Sequence, residues 1–337
     1  MSTDPSTNAF YIDYSMFSTY LTCPELYRLQ YAEHLRAKVT APALDFGSAF
    51  HKALETWRLT GSTASGEAAF IQYCIDNRAA LPISIHDDEK RSVERGLAIF
   101  NGYVRRWANE LYDIYIDPNG KPFVEVPFRI YLGDWAHKGS IRPTYLVGRI
   151  DMIVRSRTTG KLYNWETKTT SMGLSNFQRH ARPNHQITIY EMALRDVFGL
   201  EVAGTVWDMI FISSRKPSPK HPLGIDIDND YARVETRRTE RHFAKLLQDI
   251  CDTLDVILSR EPSVLWPQNM PKACYMYGGC PMLSVCDSHH NPDLISTNFE
   301  VKPWEPWKTD SPTDSPMEPV PDATPSAPPS GSPELGG

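Results

Sequence analysis

The chain has no apolar run approaching the roughly 20 residues that cross a bilayer. Its N-terminus, MSTDPSTNAFYIDY, also lacks the basic start and apolar stretch of a secretory leader. The expectation is a cytoplasmic protein with no membrane span. Positive charge is not in excess either: the formal net charge of −6 argues against a non-specific nucleic-acid coat. Much of that charge lies in the tail, where two lysines and six acids from Val301 onward contribute −4 and leave −2 for the rest. A nearly neutral body can still carry a local basic groove. There is no internal repeat. Six cysteines are present, yet no CxxC pair, the usual knuckle of a structural zinc site. Disulfides are not expected in a reducing compartment, so the thiols point to a metal site instead.

The 337 residues, 41% apolar and 23% charged, have the composition of an ordinary soluble globular protein with a substantial core. The organising stretch is Val147 to Thr170, VGRIDMIVRSRTTGKLYNWETKTT. Strand-favouring runs, Leu146–Val154 and Leu162–Lys168, flank Thr158-Thr159-Gly160, a tight hairpin turn. Folding about Thr158-Thr159 sets Asp151 opposite Glu166 to within a residue of register, with Lys168 on the same face as Glu166. Two carboxylates held together raise each other's pKa, and a hard divalent ion, Mg²⁺ or Mn²⁺, relieves the repulsion. A lysine beside them can orient a water or oppose charge on a phosphate. Taken alone, such a hairpin also reads as charges facing water.

Other stretches carry chemistry-bearing residues at telling positions. SMFSTYLTCPELYRLQYAEHL has helical spacing, with Pro24 suited to the first turn of a second helix and Cys23 just before it. DFGSAFHKALETW reads as an amphipathic helix from Gly47, carrying His51, which alone is an ordinary helix residue. Helices are predicted over 64–79 and 88–116, a strand over Phe123–Leu132, helices over Asn176–His180 and Pro183–Phe198, a sheet-closing strand over Val202–Ser213, a further strand over Ile225–Arg237, and a helix over Thr239–Arg260. Glu125 points either to the site or to solvent. Gln186 and Tyr190, four apart, share a helix face. The loop from Arg215 to His221 either touches phosphate or is a solvated turn. Cys274-x5-Cys280-Pro-x4-Cys286 is hard to explain as packing, and with Cys23 it offers four thiols for an iron–sulfur cluster. From Val301 the chain holds 10 of its 27 prolines and cannot bury enough apolar surface to order itself. Trp304 and Trp307 near its start are candidates to dock on the body or on a partner.

Gly-Arg-Ile-Asp, a turn, then Trp-Glu-Thr-Lys resembles the core of the PD-(D/E)XK nucleases, in their RecB-like branch. Gly47-x-x-x-His51-x-x-Leu54-Glu55 is similar to that branch's first motif, and Gln186-x-x-x-Tyr190 to the motif after the hairpin. Cys23-Pro24 with three late cysteines resembles the clasp of AddB-like and CRISPR-associated members; many of these have a CxxC late in the chain, whereas here there are two five-residue gaps. That departure leaves open the cluster type and whether Cys251 or Cys74 substitutes.

The resemblance implies an α/β restriction-endonuclease-like core, a mixed sheet flanked by helices, over residues 14–300. A helical insert would occupy about 60–118, with a disordered lead over 1–13 and a disordered tail over 301–337 that could meet a protein partner. It implies metal-dependent hydrolysis of DNA, with Mg²⁺ or Mn²⁺ held by His51, Asp151, Glu166 and the Thr167 carbonyl. Asp151, Glu166 and Lys168 would be catalytic, Gln186 and Tyr190 would bind substrate, and a [4Fe-4S] cluster would sit on Cys23, Cys274, Cys280 and Cys286. An exonuclease on single-stranded DNA ends, running 5′ to 3′, in recombination, repair, CRISPR adaptation or phage DNA processing is the first expectation. A non-catalytic DNA-binding subunit of a helicase–nuclease complex and a zinc-stapled interaction protein are the alternatives.

Overall fold

The computed structural model describes residues 8–39, 42–79, 81–84, 90–137, 139–221, 223–260 and 266–305. The chain opens with a strand, β1 (Phe10–Ile12), and helix α1 (Tyr14–Thr22), whose N-cap Asp13 accepts from the Met16 N–H at 2.7 Å. Pro24 occupies the first turn of α2 (Pro24–Tyr27), where its missing N–H is harmless, and a π-type turn leads to β2 (Leu35–Ala37). Helices α3 (Pro42–Thr60), α4 (Thr63–Asp76) and α5 (Val93–Arg106) form a lobe. Strands β3 (Tyr112–Ile114), β4 (Val124–His137), β5 (Ser140–Ser156) and β6 (Leu162–Thr170) follow. Next come α6 (Leu174–Ala181), α7 (His185–Asp196), β7 (Thr205–Phe211), β8 (Tyr231–Thr236) and α8 (Glu240–Ser259). The described chain closes with α9 (Leu283–Asp287), α10 (Pro292–Asn298) and β9 (Phe299–Val301).

The sheet is mixed. Its strands run β1-β5-β6-β7-β8, with β3 and β4 along the other edge of β5. β1 and β5 are parallel, as are β6 and β7; the other pairs are antiparallel. Its faces are read from alternating residues. Trp207 and Met209 turn toward the α6–α7 side, while Ile210 and Ile212 join Phe46, Phe50 and Phe100 of the lobe. Leu146, Ile150, Phe128 and Ile130 pack with Ile189 of α7 and Leu254 of α8. Within the lobe, Gly66 of α4 lies against Phe100 of α5 and Gly96 of α5 against Phe70 of α4, so a Cβ on either glycine would collide with a ring.

Several boundaries differ from the sequence reading. The lead expected over 1–13 is ordered where it is described: Phe10–Ile12 is a buried strand on β5, because its neighbouring edge offers unpaired ladder groups at Thr144–Leu146. Residues 1–7 lie outside the described residues. The helix predicted over 88–116 starts at Val93, where the Ser92 hydroxyl caps it, and ends at Arg106. Leu111 and Ile114 only mimicked helical spacing; Tyr112–Ile114 pairs with Val154–Ser156 of β5. Gly47 lies inside α3, which begins at Pro42. β8, rather than β7, closes the sheet. The tail expected to be disordered from 301 continues ordered to 305. Val301 pairs with Leu35, and Trp304 Nε1 donates to Asp13 Oδ2 at 2.7 Å and lies edge-on to Tyr31. Trp307 and the rest of 306–337 fall outside the described residues. No helix among the described residues is long and apolar enough to cross a membrane.

Candidate active site

The hairpin turn is closed by Gly160 in a left-handed conformation (φ 71°), its N–H donating to Ser156 O at 2.8 Å. From there β5 and β6 pair from Arg155–Leu162 to Met152–Trp165, and the ladder stops. Continuing the register sets Asp151 level with Glu166. Beyond that point β6 pairs only with β7, so a gap opens between the strands. The Asp151 carboxylate fills it: the backbone N–H of Thr167 donates to Asp151 Oδ2 at 3.2 Å, in place of the lost strand partner. Lys168 Nζ lies 2.5 Å from Glu166 Oε1, off the direction of a good hydrogen bond, so neither oxygen of the buried Glu166 (1% exposed) has a well-directed donor.

Helix α3 brings His51 to the same gap, its Nδ1 3.7 Å from Asp151 Oδ2. The ring also lies within hydrogen-bonding reach of the Thr167 carbonyl. Burial, reinforced by the Lys168 charge, pushes the His51 pKa down to about 4, which leaves its ring nitrogens uncharged at neutral pH. Burial drives Asp151 and Glu166 up, and for Glu166 the Asp151 charge adds to it. Lys168 is held charged by Glu166 and Asp151 against the pull of burial. Gln186 Nε2 donates to the Tyr190 hydroxyl at 2.8 Å on α7, and Tyr190 feels the charges of Glu166, Asp151 and Glu125 after its own burial.

Glu125 joins this group. His51, Glu125 and Asp151 each offer a ligand atom, all within 4.8 Å of one another. Its backbone is left-handed (φ 52°), a strained state for a residue with a Cβ, of the kind that persists where the surroundings hold it. Arg149 at 3.8 Å faces its carboxylate, whose pKa burial and Asp151 raise. Strand alternation alone could not choose between site and solvent for Glu125, and no local signal marks a positive φ. A buried carboxylate whose one close donor, Lys168, is poorly directed, two further carboxylates and a neutral imidazole form a donor set that fits a divalent ion of the Mg²⁺ or Mn²⁺ kind.

A second cluster lies near the chain ends. Cys23, at the junction of α1 and α2, meets Cys274, Cys280 and Cys286 around one cavity, lined otherwise by Gln268 and by apolar side chains such as Leu26, Met282 and Leu283. Cys74 on α4 and Cys251 on α8 are not among its lining residues. Burial raises the Cys280 thiol, and burial followed by Glu25 and the neighbouring sulfurs pushes Cys286 up to about 11. Four soft sulfur donors facing one apolar space suit a thiolate-bound metal centre. Beside them the sequence reading missed Glu25 and His290: His290 Nε2 lies 3.2 Å from Glu25 Oε1, and Arg28 donates twice to the same carboxylate. Neither residue sits in a recognisable spacing. The loop after β7 has a structural use at Arg215, which is paired with Asp230 at 2.8 Å.

Residues 13–287 match the family model of the PD-(D/E)XK nuclease superfamily. The chain belongs to the PD-(D/E)XK nuclease superfamily. As a PD-(D/E)XK nuclease it is a metal-dependent hydrolase of phosphodiester bonds, and the mixed sheet flanked by helices is the fold of that superfamily. Among solved structures, this PD-(D/E)XK chain is similar to that titled "Crystal structure of SSO0001", with 14% identity over 81% of this chain and 97% of that one and a TM-score of 0.28. No curated protein matches it.

Proposed function

We propose that the protein is a cytoplasmic exonuclease of the RecB-like branch that trims single-stranded DNA ends in the 5′ to 3′ direction. The gap between β5 and β6 carries this reading: Asp151, Glu166 and Lys168 meet His51 there from a separate helix. His51 offers a neutral nitrogen, Asp151, Glu166 and Glu125 offer oxygens, and the Thr167 carbonyl completes the set. Bound there, Mg²⁺ or Mn²⁺ supplies a water of lowered pKa and a counter-charge for the phosphate. Lys168, with donors only, orients the attacking water and opposes charge building on the phosphate. Gln186, braced by Tyr190, holds the substrate strand. The test uses single strands labelled at either end, incubated with Mg²⁺ or Mn²⁺. Release of short products from a 5′ label is expected from the first time point. A ladder of internal cuts would overturn the exonuclease assignment, and no cleavage in either metal would overturn the nuclease role.

The same proposal assigns a [4Fe-4S] cluster to Cys23, Cys274, Cys280 and Cys286, supported by their shared cavity. Thiolate ligation couples to folding, since the site does not exist in the unfolded chain. Each of these four, changed to Ser, is expected to lose iron and visible absorbance in anaerobically purified protein and to melt lower. Cys74→Ser and Cys251→Ser are expected to keep their iron. Colourless protein with stoichiometric zinc refutes the cluster and leaves the nuclease assignment standing.

A further inference from the structure

The strip of sheet leading away from the candidate metal site is partly covered: Tyr11 and Val147 are buried, while Arg129, Tyr131, Tyr145 and Arg149 are half-buried and reach solvent. Tyr131 of β4 pairs in register with Tyr145 of β5, and Tyr145 pairs on its other edge with Tyr11 of β1. Three tyrosines therefore stand side by side across three strands, on one face. The Tyr11 and Tyr145 rings stack at 5.6 Å and 22°, and Tyr131 lies 5.5 Å from Tyr145. Arg129, two residues from Tyr131 on the same face, spreads its guanidinium over Tyr11 at 5.4 Å and Tyr145 at 5.3 Å. Its Nε is buried without a hydrogen-bond partner, and no carboxylate among the described residues is paired with it.

The alternation of β5 carries this face from Tyr145 through Val147 and Arg149 to Asp151. Across from them on β4 stand Tyr131, Arg129, Pro127 and Glu125, whose carboxylate is in the metal-binding group. Leu146, Ile150, Phe128 and Ile130 turn the other way into the main core, while Tyr11, Val147 and Tyr145 form a small cluster of their own. Tyr131 and Tyr145 are half-buried. Asp151 lies six residue steps along β5 from Tyr145, about 20 Å along an extended strand, enough to underlie several nucleotides.

We propose that this strip is the path of the uncleaved part of a single-stranded DNA substrate. Bases stack on Tyr131 and the Tyr145–Arg129 group, and Arg149 with Arg129 balances the phosphates between them and the gap. The charges fit this occupant: in a molecule of net charge −6, the strip carries two arginines, of which Arg149 faces Glu125 at 3.8 Å and Arg129 lies over the tyrosine rings, and its acids are confined to the metal end. Stacking platforms of aromatic rings and arginine planes are the general means of holding unpaired bases without reading their sequence. The proposal takes its substrate class from the nuclease reading.

The experiment measures anisotropy of a labelled oligothymidylate titrated with the full chain in Ca²⁺, which separates binding from turnover. Tyr131→Ala and Arg129→Gln are each expected to weaken Kd about tenfold, the scale of one lost base stack. Tyr131→Phe keeps the ring and is expected to bind as wild type does, and thermal melting of each variant checks that the sheet persists. Kd values for Tyr131→Ala and Arg129→Gln within twofold of wild type would overturn the path, as would wild-type protein that binds a duplex or an RNA strand but not this oligonucleotide. Wild-type protein that binds the oligonucleotide, loses it in the variants, yet never cleaves in Mg²⁺ or Mn²⁺ would sink the nuclease reading and leave the path intact.

Discussion

Glu166→Ala and Asp151→Ala are each expected to lower the rate of DNA cleavage by at least about 10²–10³, the usual effect of removing one electrostatic element from a reaction centre. The fold is expected to survive both. Glu166 is buried with no well-directed donor on either oxygen, and its nearest charges include a second carboxylate. Burial and that neighbour hold its pKa above the ordinary range, so its ionisation opposes folding as pH rises. Taking it away relieves the repulsion with Asp151 and removes the Lys168 contact, two effects of opposite sign, so thermal melting of Glu166→Ala should stay close to wild type. A merely structural carboxylate would behave the opposite way, losing stability with activity. Mn²⁺ separates the cases further. It should raise the melting temperature of wild type by mass action, about 2.7 kcal/mol at a hundred times Kd, and do much less for either variant. Wild-type turnover in Asp151→Ala or Glu166→Ala removes the substituted residue from the chemistry and sinks the shared metal-site assignment.

The largest loss of stability is expected far from any phosphate, in Arg233→Met. Asp208 is wholly buried on β7, opposite Thr167 in the parallel register, and Arg233 of β8 donates to it at 3.0 Å. The other two nitrogens of Arg233 reach Glu110 at 2.8 Å each, and its plane lies 3.6 Å from the centre of Trp107. Tyr103 donates to the remaining oxygen of Asp208 at 2.5 Å, and Arg58, on the helix that carries His51, reaches Tyr103 and Glu110. Trp165 lies between the two arginines, 4.3 and 4.5 Å from their guanidinium carbons. Methionine preserves the apolar stem and removes the charge, leaving Asp208 and Glu110 short of a partner in a dry interior. Breaking one side of such a network costs about 3–5 kcal/mol, a large part of the 5–15 kcal/mol that holds a domain together. Urea unfolding should show a lower midpoint at unchanged slope. Arg233→Lys keeps the charge without the fork and should fall between. A loss below about 1 kcal/mol in Arg233→Met would mean that Arg58 carries the network alone.

The hairpin was legible because two local codes agreed: alternation set the faces, and Thr158-Thr159-Gly160 set the register. Together they put Asp151 level with Glu166 without knowledge of anything else in the chain. His51 could be proposed only through a resemblance, since nothing local ties residue 51 to 151; the three late cysteines stood out by their own clustering, and the resemblance supported Cys23 as their fourth partner. β1 was missed because Phe10–Ile12 is too short for periodicity, and its strand state comes from an edge formed more than a hundred residues later. Tyr112–Ile114 was misread because Leu111 and Ile114 satisfy helical spacing while the sheet edge outcompetes it. Asp208 and Arg233 occupy positions that a solvent-facing residue could equally hold. Only the lobe packed over them makes their charges interior.

The meeting of the two ends of the chain fixes an order of assembly. The gap that holds Asp151, Glu166 and Lys168 is complete once β8 has been made, at Thr236. The Cys23 thiol must wait for residues 274–286, and Asp13 for Trp304. During synthesis the sheet can therefore close well before its fastening does, and α1, which packs into the main core through Met16 and Phe17, stays tethered at one end only. A chain cut short after α8 would hold every acidic ligand of the gap and none of the late sulfurs, so the clasp acts as a seal applied last.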